Sequence, residues 1–488
     1  MELFTFIVPH PVAGLVDSAG AGARLVEWDR AFLVGEAGPA RVRRSFQHDA
    51  CAAWSWTLPA EEERLQIVMI TIGTHIAWGT RERLSEKELL KHLYILGKTG
   101  SGKSTALLNV LGGWMETGNG AALVDPHGDL AGDFMQRIPR SVLSRVVVID
   151  PSDRENPIAW NPLWRVPESR RPVVAQGLVG AFRGVWRDSW GPRMEYILLN
   201  GLRLLLDAGD ESLLGLPRLL VDPGYRRMLL RRCMDPVVYR FWREEFDGWD
   251  ERFRREAIAP IQNKVGQFLG DPLMRSILGQ SRSRLDFRLS MDRGRIFVVS
   301  LSKGLVGEGT ANLFGALLVA SFHEAALSRA EQPEENRRPF LLVVDEFQNV
   351  VTDRFASILS EARKYGLGIV LSHQYLGQLL PEIRSAALGN VGSMLLFRTG
   401  GADAEILAKE LGAEWSPSRF ADLMPYHAIL FGGGSGLPAG REVKTLPPSL
   451  PVRASDQTDQ ICVSSAQRFA RPVEQVREKQ ERWFSRRF

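Results

Sequence analysis

Cysteine is scarce. Cys51, Cys233 and Cys462 are the only three in 488 residues, and no two stand in a CxxC pair or at metal-ligand spacing. That argues against a disulfide framework and a structural zinc, and it suits a reducing compartment. The 8 histidines form no HExxH motif. The opening residues, MELFTFIVPHPV, have neither a basic cluster nor a long apolar run, so they do not read as a signal peptide. Long hydrophobic runs are missing too. Leu65 to Trp78 is interrupted by Gln66, Gly73 and His75, and Ala311 to Phe322 runs straight into His323 and Glu324. Neither reaches the ~20 residues that span a bilayer. The expectation is a cytoplasmic chain with no integral membrane segment, docking transiently at the inner face of the membrane through partners. Charge of one sign is also sparse. A net charge of +4 is too little to mark the whole chain as nucleic-acid binding, so any such surface is local. No internal repeat and no nuclease motif stand out.

Apolar residues are plentiful, at 44%, which supports a large core. Residues 1–80 carry short β-branched and aromatic runs between Gly and Pro breaks and read as a small β-rich N-terminal unit. Residues 81–159 change character: HLYILG, AALVDP and RVVVID are buried-strand runs separated by helical patterns. Residues 160–290 hold Leu, Arg, Trp and Glu at helical spacing and read as a helical insertion. Strands return over 291–431, in GRIFVVSL, FLLVVDE, GIVLSHQ and SMLLFRT. Residues 432–488 read as a Gly- and Pro-rich linker followed by a basic tail. The predicted class is α/β, with one parallel sheet split in sequence by the helical block.

The chemistry starts at GKTGSGKS. Gly97, Lys98, Thr99, Gly100, Ser101, Gly102, Lys103 and Ser104 satisfy G-x-x-x-x-G-K-[ST], between an apolar strand and a helical pattern. Glycines let the backbone curl so that N–H groups point at phosphate oxygens, and the helix N-terminus adds partial positive charge. Lys103 should reach the β- and γ-phosphates of ATP, Ser104 should ligate Mg²⁺, and Thr105 should contact the α-phosphate side. FLLVVDE ends in two acids after an apolar strand. Asp345 suits the orientation of Mg²⁺, and Glu346 suits a general base for the attacking water. Gln374, just past GIVLSHQ, is placed to sense the γ-phosphate. Arg363 and Arg398 are rival candidates for an arginine finger, and either also suits a surface ion pair. Asp125 could order magnesium waters or cap the next turn; His127 beside it reads as structural. Lys303, in the Gly-containing loop LSKGLVGEGT, is a candidate DNA contact. Asn263 to Gly266 spell NKVG, but Gly266 stands where a guanine-reading motif needs Asp, which argues against GTP specificity.

The order of these motifs resembles the HerA/FtsK superfamily of DNA-pumping ATPases, within it the coupling-protein branch of type IV secretion and conjugative transfer. HLYILGKTGSGKST, FLLVVDEFQN and ARKYGLGIVLSHQ carry the likeness, which covers about residues 75 to 430. The resemblance implies a RecA-like P-loop core and an all-helical insertion, which accounts for the long interval between Lys103 and Asp345. It implies a homohexameric ring that translocates DNA, with Gln374 as third-motif sensor and Arg363 as the finger acting on a neighbour. Coupling proteins usually begin with transmembrane helices, and in their place this chain has a β-rich start more like soluble HerA-type motors. A secretion or pilus-assembly motor acting on protein, and a DNA repair or defence ATPase with a nuclease partner, are the alternatives.

Overall fold

A computed structural model describes residues 68–352, 355–412, 414–432, 440–451 and 455–486. Most of the expected β-rich unit, residues 1–67, lies outside the described residues. The strands are β1 (Met69–His75), β2 (Arg81–Ser85), β3 (Leu93–Leu96), β4 (Gly120–Asp125), β5 (Val146–Ile149), β6 (Ile296–Ser300), β7 (Phe340–Val344), β8 (Leu367–His373), β9 (Ser393–Phe397), β10 (His427–Phe431) and β11 (Arg441–Thr445). They form one 11-stranded sheet in the order β2-β1-β11-β10-β9-β3-β8-β7-β4-β6-β5. From β9 to β5 every pairing is parallel; from β9 outward to β2 every pairing is antiparallel.

The parallel strands are apolar throughout because both faces are covered. Leu93 and Ile95 of β3 pack into one core with Trp114 of the helix Lys103–Glu116. Tyr94 and Leu96 point the other way, into a core shared with Phe314 and Phe322 of the helix Glu308–Leu327. A period-2 strand with both faces buried reads as a continuous hydrophobic run.

Between β5 and β6 the chain is helical, from Glu168 to Asp292, as the spacing of apolar residues predicts. Its helix starts are written locally. Asp222, Asp235 and Asp271 each precede a proline, and each side chain accepts backbone N–H bonds at a helix N-terminus. Aspartate satisfies the orphan donors and proline at the first helical position loses nothing. Asn263 to Gly266 lie inside this block, in a wide helical turn, Gln262–Gly266, and not at a strand end.

Two expectations are corrected. The boundary at residue 80 does not separate units, because β1 is hydrogen-bonded into the main sheet between β2 and β11. Residues 432–488 are not only linker and tail. Val443 and Thr445 turn inward from β11 while Lys444 faces out, so a short alternating strand fits between β10 and β1. The tail forms two helices, Ser455–Phe469 and Val473–Ser485. The first covers the open edge of β5: Ser465 Oγ accepts the Val148 N–H at 2.8 Å. Among the described residues one helix, Glu308–Glu331, is long and apolar enough to cross a membrane. Its apolar window is 61% buried inside the fold, as in a helix surrounded by other elements.

Candidate nucleotide site

Four neighbouring parallel strands, β3, β8, β7 and β4, end side by side. Ligand sites of open α/β sheets form at this carboxyl edge. Lys103 follows β3, Gln374 follows β8, Asp345 and Glu346 follow β7, and Asp125 closes β4. Sequence places these residues far apart; strand order brings them together.

The loop after β3 has the curl its glycines permit. Gly100 and Gly102 adopt φ of 76° and 116°. A Cβ on Gly102 would meet Tyr426 Cδ1 at 3.0 Å and Phe397 Cε1 at 3.2 Å, and one on Gly97 would meet Phe397 Cβ at 2.5 Å. The helix Lys103–Glu116 starts directly from Gly102 with no side-chain cap, so its first N–H groups face the loop. Lys98, Thr99 and Gly100 are exposed, as is Ser104, while Thr105 is half-buried. Ser101 Oγ is buried without a partner. Lys103 folds back, and its Nζ donates to the Gly97 carbonyl at 2.6 Å. Burial pulls the ammonium below its ordinary pKa, against the opposing pull of Glu346 and Asp345.

Glu346 is buried in a left-handed backbone conformation, φ 44° and ψ 49°. Such strain in a non-glycine residue costs about 1 kcal/mol and persists where the surroundings impose it. Here the turn lifts the carboxylate toward the loop. Its Oε1 accepts from Gln374 Nε2 at 2.8 Å and its Oε2 from Gln348 Nε2 at 2.8 Å. Gln374 also accepts, through Oε1, the Thr99 hydroxyl at 3.2 Å. One amide therefore spans from the phosphate loop to the acid at the end of β7.

Asp345 is pushed up to about 6, first by burial and then by the nearby Glu346 and Asp125 charges, with a bond from Ser372 pulling the other way. Asp125 is committed to its own turn: its carboxylate accepts the His127 N–H at 2.9 Å and the Ala131 N–H at 3.0 Å. It is a cap, and His127 itself is exposed.

The two candidate arginines sit apart. The Arg398 carbonyl accepts the Lys98 N–H at 2.9 Å, so this arginine follows β9 beside its own phosphate loop. Arg363 is exposed and precedes β8, at the edge of the sheet opposite the loop, beside His92. Lys303 lies after β6, its N–H bound to the Pro126 carbonyl at 3.0 Å, with exposed Leu305 next to it.

Sequence reasoning passed over a buried pair beneath the site. The Tyr94 hydroxyl from β3 bonds His373 Nε2 at the end of β8, and the His373 ring packs edge-on against Phe347 at 5.0 Å. Burial and the Lys103 charge hold His373 down to about 3, so it is a neutral strut. Only the unusual histidine at a strand end hinted at it. The Tyr426 N–H, which donates to the Ser101 carbonyl at 2.8 Å, had no signal in the sequence.

A magnesium ion fits this donor set. No group of three or more His, Cys, Asp or Glu side chains forms a metal cage among the described residues. Magnesium does not need one, because it keeps waters and borrows phosphate oxygens, taking one or two protein ligands. Ser104 and Asp345 are the candidates to hold it, and a cation would relieve the crowding of Asp345 by Glu346 and Asp125.

Residues 83–229 match the family described as the type IV secretion-system coupling protein DNA-binding domain. No curated protein matches the chain in sequence. Among solved structures, the unbound conjugative coupling protein TrwBdeltaN70 superposes with a TM-score of 0.58 at 16% identity, covering 80% of this chain and 91% of that one. The chain shares its fold with this coupling protein. TrwB in complex with ADP and Mg²⁺ gives a TM-score of 0.55 at 16% identity, over 76% and 89% of the two chains. VirB4 of Thermoanaerobacter pseudethanolicus gives 0.51 at 16% identity, over 78% and 96%. The coupling-protein likeness drawn from motif order is borne out, and with it the RecA-like P-loop core carrying a helical insertion.

Proposed function

We propose that the chain is an ATP-driven DNA motor of conjugation-like or type IV secretion-like transfer, working as a homohexameric ring. The observation that carries the ATPase half is the convergence of Lys103, Gln374 and Glu346 on one sheet edge, with Gln374 bridging Thr99 and Glu346. The match of residues 83–229 to a DNA-binding-domain family supports the choice of DNA.

In this reading the loop Gly97–Ser104 binds the ATP phosphates, with Thr105 on the α-phosphate side. Lys103 exchanges its Gly97 carbonyl for phosphate oxygens. Ser104 and Asp345 would hold Mg²⁺, which would supply charge neutralisation on the phosphates. Glu346 accepts the proton of the attacking water. A γ-phosphate competes with Thr99 and Glu346 for Gln374, so hydrolysis lets that amide return, and the loop and β7 acid are coupled through it. Arg363 is the finger supplied in trans: exposed and across the sheet from its own loop, it is free to serve a neighbour. Arg398 acts in cis. Lys303, which the structure places at the start of a short helix, Lys303–Val306, and not in a loop, is the candidate DNA contact. The low net charge, +4 over 488 residues, favours one second reading, the same motor acting on protein.

The deciding measurement is the ATPase rate with no DNA, with single strands and with duplex, alongside particle mass. A motor on DNA is stimulated by it and runs as a hexamer; a DNA-insensitive monomer would sink the proposal. Mixed rings test the finger. Arg363→Ala and Lys103→Ala subunits, each inactive alone, should regain activity when mixed. Random mixing rebuilds about a quarter of the interfaces of a heterologous ring. No recovery in verified mixed rings would return Arg363 to a surface role.

Asp345 gives a pH test on the ligand-free protein. Its folded pKa, about 6, lies above the ordinary 3.8. The folded state thus holds a proton that the unfolded chain has released, and stability falls as pH rises from about 4 to 6. A two-unit shift amounts to roughly 2–3 kcal/mol. Asp345→Asn should therefore stabilise the ligand-free fold at pH 7.5 and lose that advantage near pH 4. Denaturant unfolding at both values reads the difference, and an equal effect at the two would contradict the burial argument.

A further inference from the structure

Between the helical insertion and the C-terminal helix Val473–Ser485 lies a cavity of about 540 Å³. Arg232, Arg282, Arg471, Lys479, Arg482 and Arg486 line it. The described lining residues include two acids, Asp210 and Glu211, and Glu211 is buried with its Oε2 accepting the Tyr225 hydroxyl at 2.5 Å. Arg482 pairs with Glu478 on its own helix. Among the described residues the other five cations make no ion pair with a carboxylate. Arg471 is half-buried in the wall, and its guanidinium donates to neutral acceptors, Gln280 Oε1 at 2.5 Å and the Arg282 carbonyl at 2.7 Å. Burial and the neighbouring Arg284 and Arg282 charges hold it below its ordinary pKa. None of these residues belongs to the nucleotide site. Like charge gathered in a concave, partly dry space repels itself and focuses a positive potential, and an anion relieves both.

We propose that this cavity is a second phosphate site, one that grips the backbone of a single nucleic-acid strand. Guanidinium groups dominate the wall, and their planar forks match phosphate oxygens two at a time. A cavity of this size takes about one or two nucleotide units and excludes a duplex. The surplus of basic residues in the tail, which the motor site does not use, gains a purpose once the tail helix closes this wall. The proposal rests on the DNA-motor reading for the source of the phosphate, and it places a strand contact apart from the nucleotide site of the same chain.

Arg282 and Lys479 are exposed, so the double variant Arg282→Gln, Lys479→Gln keeps the fold, checked by its unfolding midpoint. Binding of a fluorescent oligothymidylate to the full chain, without nucleotide, is followed by anisotropy across a salt series. The double variant should bind about ten-fold more weakly, with the salt slope reduced by about 1–2. Arg282→Lys should restore most of the slope, and DNA-free ATP turnover should stay at the wild-type rate. Unchanged affinity and slope in the double variant would overturn the site while leaving the motor intact. Stronger displacement of the strand from the wild-type chain by polyglutamate than by unlabelled oligothymidylate would overturn it too, in favour of an acidic protein partner. A wild-type chain that hydrolyses ATP but binds no strand would remove the DNA reading first and this site with it.

Discussion

Lys103→Ala should abolish ATP turnover while leaving the chain folded. The two halves of that expectation come from different physics. On the chemical side, Lys103 is the cation of the loop, and its Nζ donates to the Gly97 carbonyl at 2.6 Å, a partner that a phosphate oxygen would replace in the proposed reading. A preorganised charge aimed at a developing phosphoryl oxygen contributes at least ~10³-fold to turnover. Binding loses a charge-assisted hydrogen bond, about 1.5–3 kcal/mol. On the folding side, burial already disfavours this ammonium, whose pKa is lowered despite two nearby carboxylates. Removing a desolvated cation gives back part of that cost, so the unfolding midpoint should move by no more than a few degrees. Turnover at the wild-type rate would sink the assignment of the phosphate loop. Loss of turnover through unfolding would instead show that Lys103 holds the loop together.

What the sequence made legible follows how local each signal is. The phosphate loop is eight neighbouring residues whose glycines and helix start need no partner to be recognised. The two acids after β7 and the glutamine after β8 each sit at the end of an apolar run, so their edge of the sheet could be read as well. Their contacts could not. Gln374 meets Glu346 because β8 lies between β3 and β7, an order set by packing and not by chain order. The same holds for Tyr94 and His373, which meet across β3 and β8. Arg398 looked equivalent to Arg363 in sequence, and only the pairing of β9 with β3 places its backbone against the loop. The errors at 432–488 have another origin. Gly and Pro punctuation correctly marked turns, but β11 is charged on its outer side and gets its stability from neighbours on both flanks. The tail helices are polar on average, and their few buried residues, such as Ile461, Val473 and Val476, matter only once β5 and the insertion are there to receive them.

Glu346→Gln should separate binding from hydrolysis more cleanly than any other single change. Losing a general base costs ~10²–10⁴-fold in the chemical step. The question is whether an amide can occupy the same place. Both Glu346 oxygens accept from amide donors, Gln374 on one side and Gln348 on the other. A glutamine has one oxygen and one NH₂, so one of those partners would face donor against donor. Gln374 resolves the clash by turning its amide over. Its oxygen then accepts from the new NH₂, and its own NH₂ donates to the Thr99 hydroxyl, which can accept as readily as it donated. The strained turn at residue 346 is no harder for glutamine than for glutamate, since both carry the same side-chain skeleton. The variant should therefore keep nucleotide affinity within a few-fold of wild type and hold ATP unhydrolysed. Titration with a fluorescent ATP analogue gives the affinity, and single-turnover hydrolysis gives the chemistry. Weak binding together with slow hydrolysis would mean that the Glu346 charge holds the site in shape, and the base would have to be sought elsewhere. Retained binding with stalled hydrolysis leaves the proton of the attacking water with one acceptor, the carboxylate that β7 lifts to the loop.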